Sequence, residues 1–218
     1  MSESSSARGR RARRSLLAFA VGAALGPQAW AASGPAGGRD PAGERAIARP
    51  ADGATTGTAA CPELLRHSFD RLQDEQPQSL CQYAGKVLLV VNTASRCGYT
   101  PQYEGLEALH ARYSARGLVV MGFPSNDFRQ ERGSREQIAQ LCFDTYGVRF
   151  PMFTKTVVTG PNANPLHAAL TSATGEAPAW NFHKYLVDRQ GRPVASFPSK
   201  VRPDDPRLVA EIERLLAR

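Results

Sequence analysis

The chain has 218 residues, of which 42% are hydrophobic and 8% aromatic, enough to build one core of ordinary size. Its formal charge of +7 is unevenly placed: five arginines against one glutamate put +4 within residues 1–31, leaving +3 over 32–218. No Lys/Arg block remains beyond that segment, so the basic balance does not point to nucleic acid as a partner.

Arg8, Arg10, Arg11, Arg13 and Arg14 precede an apolar run, Ser15 to Leu25, and Ala29-Trp30-Ala31 has the A-x-A form of a cleavage site. Basic, then apolar, then small is the order of a secretory signal peptide, here over residues 1–31. The apolar run is shorter than the roughly 20 residues of a membrane span, so no stable membrane insertion is expected. Arg13-Arg14 ahead of Leu16-Leu17 also resembles a twin-arginine signal, although any basic leader can contain such a pair. Both export routes stay open, and either predicts an exported, periplasmic protein. Residues 32–60 are mostly Ala, Gly, Pro and Thr and cannot bury enough surface to offset ordering entropy. They read as a flexible linker, and residues 61–218 as the folded domain.

Two short runs open that domain, Ser68 to Leu72 and Pro77 to Cys81, separated by the polar turn Gln73 to Gln76. They predict a β-hairpin. Val87 to Val91 is consecutive and aliphatic, as suits a central strand covered on both faces. Tyr103, Leu106, Leu109 and Tyr113 recur at helical spacing, and Gly117 marks that helix's end. Leu118 to Phe123 predicts a second buried strand, so that strand, helix and strand form a parallel crossover. Ser134 to Gln137 has capping-box form ahead of a helix that carries Ile138, Leu141 and Cys142 and stops by Gly147. Phe150 to Phe153 opens another predicted strand, with Thr154 to Val158 behind it, and Asn164 to Leu170 predicts a short helix. Phe182 to Val187 and Val194 to Phe197 form a second hairpin across Asp188 to Gly191. Asp205 to Leu216 closes the chain as an amphipathic helix with Leu208, Ile212, Leu215 and Leu216 on its inner face. This order predicts an α/β domain of thioredoxin-like form: a mixed central sheet flanked by helices, with an N-terminal β-hairpin.

Four cysteines are present, and export permits disulfides among them. Cys61 lies just before the first hairpin strand and Cys81 in the second, so a structural disulfide between them would tie the lead-in segment to the hairpin. A loop of that length contributes on the order of 3 kcal/mol. Cys97 stands where the buried strand hands over to the helix, beside Arg96 and Gly98, and a helix N-terminus favours thiolate. A buried, inert thiol is the competing reading. Thr100 occupies the position where a C-x-x-C site would carry its second cysteine, so dithiol exchange at this site is excluded. Single-cysteine chemistry remains, such as attack on a peroxide followed by reduction of the sulfenic acid. His67, His110, His167 and His183 show no metal-ligand spacing, so neither a metal nor a cofactor is expected.

Three stretches, Asn92 to Thr100, Gly122 to Phe128 with Gln130-Glu131, and Trp180 to Val187, together resemble the motifs of the glutathione peroxidase family. Asn92-Thr93-Ala94-Ser95-Arg96-Cys97-Gly98-Tyr99-Thr100 is similar to its active-site segment. Gly122-Phe123-Pro124-Ser125-Asn126-Asp127-Phe128 with Gln130-Glu131 is similar to its second motif, and Trp180-Asn181-Phe182-His183-Lys184-Tyr185-Leu186-Val187 to its third. The resemblance implies a thioredoxin-like fold and an active site of Cys97 as peroxidatic thiol with Gln130, Trp180 and Asn181. Amide and indole N–H donors of those types stabilise a thiolate and then the leaving oxygen. The sequence departs from the pattern in places. Cysteine stands at 97 where some members use selenocysteine, Ser125 stands where a cysteine is common, and the second motif is one residue shorter between Phe128 and Gln130.

The short segment from Thr171 to Ala179 lacks the insertion associated with tetrameric members, implying a monomer with an open site for hydrogen peroxide and organic or lipid hydroperoxides. Cys142 resembles in placement the resolving cysteine of members reduced by thioredoxin, and equally fits core packing. Glutathione and a thioredoxin-like protein are both candidate reductants. A non-catalytic redox sensor or binding module on the same fold, with Cys97 as switch, is the alternative from another class.

Overall fold

The computed structural model describes residues 60–218; the expected signal peptide and the linker up to residue 59 lie outside the described residues. A hairpin comes first, β1 (Ser68–Asp70) antiparallel to β2 (Pro77–Ser79). Asp74 holds its turn by accepting from the Arg71 guanidinium and the Gln76 N–H. The second strand is shorter than expected. The Ser79 hydroxyl accepts from the Cys81 N–H and starts a 3-10 turn over Leu80–Tyr83, so Cys81 lies in that turn and not in the strand. A serine side chain competing with the strand ladder for backbone N–H groups has this effect.

Seven buried residues in a row form β3 (Val87–Thr93). It leads to α1 (Gln102–Tyr113), which tightens into a 3-10 turn, Ser114–Arg116, and ends at Gly117 with φ of 103°. β4 (Leu118–Pro124) then runs parallel to β3, with Val90 opposite Met121. α2 (Arg135–Ala139) begins at the expected capping box of Ser134 and Gln137, then widens into a π-helical turn over Gln140–Thr145 that holds Cys142. α3 (Pro165–Thr174) is capped by Asn164 and runs four residues past the expected end at Leu170. β5 (Lys184–Val187) pairs antiparallel with β3, and β6 (Pro193–Phe197) pairs antiparallel with β5. α4 (Pro206–Leu216), capped by Asp205, buries Leu208, Ile212, Leu215 and Leu216 as expected.

The sheet order is β4-β3-β5-β6, which is mixed, with helices on both faces. Period-two alternation along β3 divides the core into two layers. Val87, Leu89 and Val91 face α1, α2 and α4, while Leu88 and Val90 face α3 and the residues around the first hairpin. Each fully buried aliphatic side chain contributes about 1.5–3 kcal/mol, so these layers dominate the stability of the sheet.

The strand expected from Phe150 does not form. That segment makes only isolated bridges, Gly122 to Met152 and Arg71 to Phe153. Pro151 has no N–H for a continuing ladder. Gly122 lets the segment approach β4, because a Cβ there would overlap Met152 Sδ. Contact with β4 is therefore close, and it is made by the Gly122–Met152 bridge and a hydrogen bond from the Thr156 N–H to the Pro124 carbonyl at 2.9 Å.

Candidate active site

β3 ends at Thr93, and the chain must turn before α1 can start at Gln102. Thr100 makes that turn. Its hydroxyl donates to the Ala94 carbonyl at 2.9 Å and accepts from the Cys97 N–H at 3.0 Å, while its own N–H donates to the Cys97 carbonyl at 2.9 Å. The residue that excludes a C-x-x-C site is thus the staple of the cysteine loop. Cys97 is 7% exposed, and its Sγ accepts from the Tyr99 N–H at 3.4 Å. This donor belongs to the loop, three residues before the first turn of α1, so the thiol is served by a loop amide and not by the helix end itself.

The second motif folds against this loop. After β4, Asp127 accepts from the Val158 and Thr159 N–H groups, and Asn126 Oδ1 accepts from the Glu131 N–H at 3.1 Å. Arg129 lies between them with φ of 58°. The turn brings the Gln130 carbonyl to the Arg96 N–H at 3.1 Å and the Glu131 carboxylate to the Ser95 N–H and hydroxyl, both at 2.7 Å. Glu131 is fully buried, and burial raises its carboxyl above the usual range, with the Ser95 hydrogen bonds working against that rise. Two consecutive residues of the second motif therefore clasp the two residues that precede Cys97.

The third motif arrives from the other side of β3. Asn92 holds it from both ends, donating from Nδ2 to the Trp180 carbonyl at 3.1 Å and accepting from the Phe182 N–H at 2.6 Å. Between these anchors the buried Asn181 donates from Nδ2 to Gln130 Oε1 at 3.1 Å. Trp180 is 40% exposed, its ring tilted against Phe128 with centroids 5.4 Å apart. Phe182 has φ of 64°, a conformation that costs a bulky residue on the order of 1–3 kcal/mol. Its ring is buried edge-on to Tyr103 at 5.3 Å, and that packing helps to hold the strained backbone in place.

Gln130 is the meeting point: its backbone touches the Cys97 loop and its side chain touches Asn181. Cys142 lies in the same core layer as Cys97 but is fully buried, and burial pushes its thiol up to about 12. Cys61 and Cys81 form a disulfide, with Cα atoms 5.2 Å apart. No cluster of three or more metal-ligating side chains occurs among the described residues. Several positioning residues escaped sequence reading. Asn92 and Glu131 lie within the quoted motifs but carried no assigned role, and the left-handed backbone at Arg129 and Phe182 has no signal in residue type.

Residues 67–171 match the family model described as glutathione peroxidase. The hydroperoxy fatty acid reductase of Synechocystis sp. is 48% identical over 154 residues, covering 66% of this chain and 90% of that protein. The chain belongs to the glutathione peroxidase family. A glutathione peroxidase-like peroxiredoxin of Schizosaccharomyces pombe is 46% identical over 160 residues, covering 70% of this chain and all of that protein. Among solved structures, that of T. cruzi GPX1 is similar with a TM-score of 0.57 at 30% identity, covering 71% of this chain and 96% of that one. A thioredoxin family protein from Chlorobium tepidum, 15% identical with a TM-score of 0.53, shares the fold alone. As a member of the glutathione peroxidase family the chain is an oxidoreductase of the peroxidase kind.

Proposed function

We propose that this chain is an exported thiol peroxidase that reduces hydrogen peroxide and organic or lipid hydroperoxides, with Cys97 as the attacking thiol and Gln130, Asn181 and Trp180 around it. The observation that carries the reading is the Asn181–Gln130 hydrogen bond, which joins the third motif to the residue whose carbonyl is bonded to the Cys97 loop. In the reaction, the Cys97 thiolate attacks one peroxide oxygen. An S–O bond forms, the O–O bond breaks, and the departing alkoxide or hydroxide takes up the proton released by the thiol. Sulfur is oxidised by two electrons to a sulfenic acid, and water or an alcohol leaves. Amide and indole donors suit both stages, because negative charge moves from sulfur to the departing oxygen. A thiol then condenses with the sulfenic acid, releasing water, and a second thiol returns Cys97 to its reduced form.

Several features support the finer parts of this reading. The name of the Synechocystis relative speaks of hydroperoxy fatty acids, and the exposure of Trp180 together with the short Thr171–Ala179 segment supports a site open to bulky hydroperoxides. The same short segment favours a monomer. The Escherichia coli relative is named a thioredoxin/glutathione peroxidase, which keeps both reductants in view. Cys142 is the candidate resolving thiol. It is fully buried in the π-helical turn, in the same core layer as Cys97. The basic and apolar leader supports export, and a Cys61–Cys81 bridge suits an oxidising compartment.

The test is steady-state peroxide turnover with glutathione and with thioredoxin in parallel. Wild type is expected to consume many equivalents of peroxide, and Cys97→Ser none above background. Retained turnover in Cys97→Ser, or consumption of only about one equivalent by wild type, would sink the proposal. Cys142→Ser should lose the thioredoxin-dependent rate while keeping any glutathione-dependent one. No change in either rate would make Cys142 a packing residue only.

A further inference from the structure

We propose that Lys184 is a positioning residue of the peroxidatic site, its buried amine clamping the left-handed turn at Phe182 to the first residue of α1. The inference rests on the reading that Asn181 and Trp180 serve Cys97.

Lys184 is the first residue of β5, opposite Val91 of β3 and Phe197 of β6, and its side chain is fully buried. Its Nζ donates to the Phe182 carbonyl at 2.7 Å and to Gln102 Oε1 at 2.7 Å. Gln102 passes the connection on, its Nε2 donating to the Ser199 carbonyl at 2.7 Å. One amine thus links three segments that are distant in sequence: the third motif, the start of α1 just beyond the Cys97 loop, and the stretch before α4.

The chemistry of the contacts argues against a packing role. Both hydrogen-bond partners of Nζ are neutral oxygens, and among the described residues the amine has no carboxylate partner. Burial lowers it to about 7. A buried amine of this kind is costly, and an apolar side chain of similar volume would fill the same space more cheaply. What the amine supplies that a methyl group cannot is two directional donors. One is aimed at the carbonyl of a residue whose φ of 64° is strained, directly after Asn181. The Phe182 N–H is held by the Asn92 carbonyl and the Phe182 carbonyl by Lys184, so both of its peptide groups are fixed. Fixing Phe182 sets the direction in which the chain delivers Asn181 to Gln130 and Trp180 to Phe128.

Without the clamp, the turn relaxes toward ordinary backbone angles and the Asn181–Gln130 contact is lost for much of the time. The test uses the full chain with Trp30→Phe in every sample, so that tryptophan emission comes from Trp180 alone. Single-turnover oxidation of Cys97 by hydrogen peroxide is followed together with that emission and the thermal midpoint. Lys184→Met is expected to slow Cys97 oxidation at least tenfold and to shift Trp180 emission at temperatures well below unfolding. Gln102→Leu should slow it less, and the double variant should be no slower than Lys184→Met, because both act through one clamp.

A folded Lys184→Met protein that reacts within twofold of wild type, with unchanged emission, overturns the proposal. If Lys184→Met does not fold, Gln102→Leu decides: a rate within twofold of wild type overturns the proposal, and a slower rate with shifted emission supports it. A wild-type protein that does not react with peroxide removes the peroxidase reading itself. Normal wild-type reaction with an equally fast Lys184→Met removes only the role of Lys184.

Discussion

Asn181 donates a hydrogen bond from Nδ2 to Gln130 Oε1 at 3.1 Å, across 51 positions of sequence. Each partner is delivered by a turn with a left-handed residue beside it, Arg129 before Gln130 and Phe182 after Asn181. The pair is a contact between two strained turns, and strain of this kind persists only where surrounding bonds over-determine the backbone.

The contact makes the two side chains a unit. Gln130→Ala and Asn181→Ala should each slow Cys97 oxidation by about 10²-fold, the order expected when one donor to a reacting centre is removed. The double variant should be far less than 10⁴-fold slower. A double-mutant cycle on the single-turnover rate checks this. Full additivity would show that the two amides act independently.

The Cys61–Cys81 disulfide closes a loop of 20 positions between the lead-in segment and the turn after β2. It joins segments peripheral to the main sheet, so its loss should affect stability more than chemistry. Cys61→Ser with Cys81→Ser should lower unfolding free energy by about 3 kcal/mol, read from urea unfolding with midpoint and slope fitted together, because the unfolded chain loses its cross-link. Cys97 should still be oxidised at the wild-type rate at 25 °C.

His167 and His183 lie in the layer around α3, His167 edge-on to Phe123 at 5.1 Å and His183 tilted on Tyr185 at 4.7 Å. Burial lowers His167 to about 3, with His183 adding to the effect, and burial lowers His183 to about 4. Both folded-state values lie below the ordinary 6.5. Between pH 6.5 and about 4 the unfolded chain therefore binds protons that the folded chain does not, and stability falls as pH falls. Each imidazole contributes a slope on the order of 1.4 kcal/mol per pH unit in that window. Glu131, raised by burial, acts in the opposite direction, losing stability as pH rises above 4.5. The urea midpoint should drop between pH 7 and pH 5, and His167→Gln with His183→Gln should flatten that drop. An equally steep drop in the variant would assign the acid sensitivity to other groups.

Much of the fold follows from local pattern. The aliphatic run of β3, the capping box at Ser134, the Gly117 stop and the face of α4 act through period, turn chemistry and burial, which neighbouring residues set among themselves. The structure departs from that pattern where a side chain or a missing N–H diverts the backbone: Ser79 ends the second hairpin strand in a 3-10 turn, and at Pro151 an expected strand is reduced to two isolated bridges.

At the contact of Asn181 and Gln130, the sequence by itself determined the residue types and their placement in three motifs, because family resemblance and donor chemistry are both written in side chains. Only the tertiary structure decided that Gln130 is the joint between the other two motifs, that Asn92 and Glu131 hold the loops, and that Lys184 reaches both Phe182 and Gln102. Those bonds span long stretches of chain, and the left-handed angles at Arg129 and Phe182 run against the preference of the residues that adopt them. Positions held against local preference are set by packing and hydrogen bonds from elsewhere, and no window of sequence contains the partners that do it.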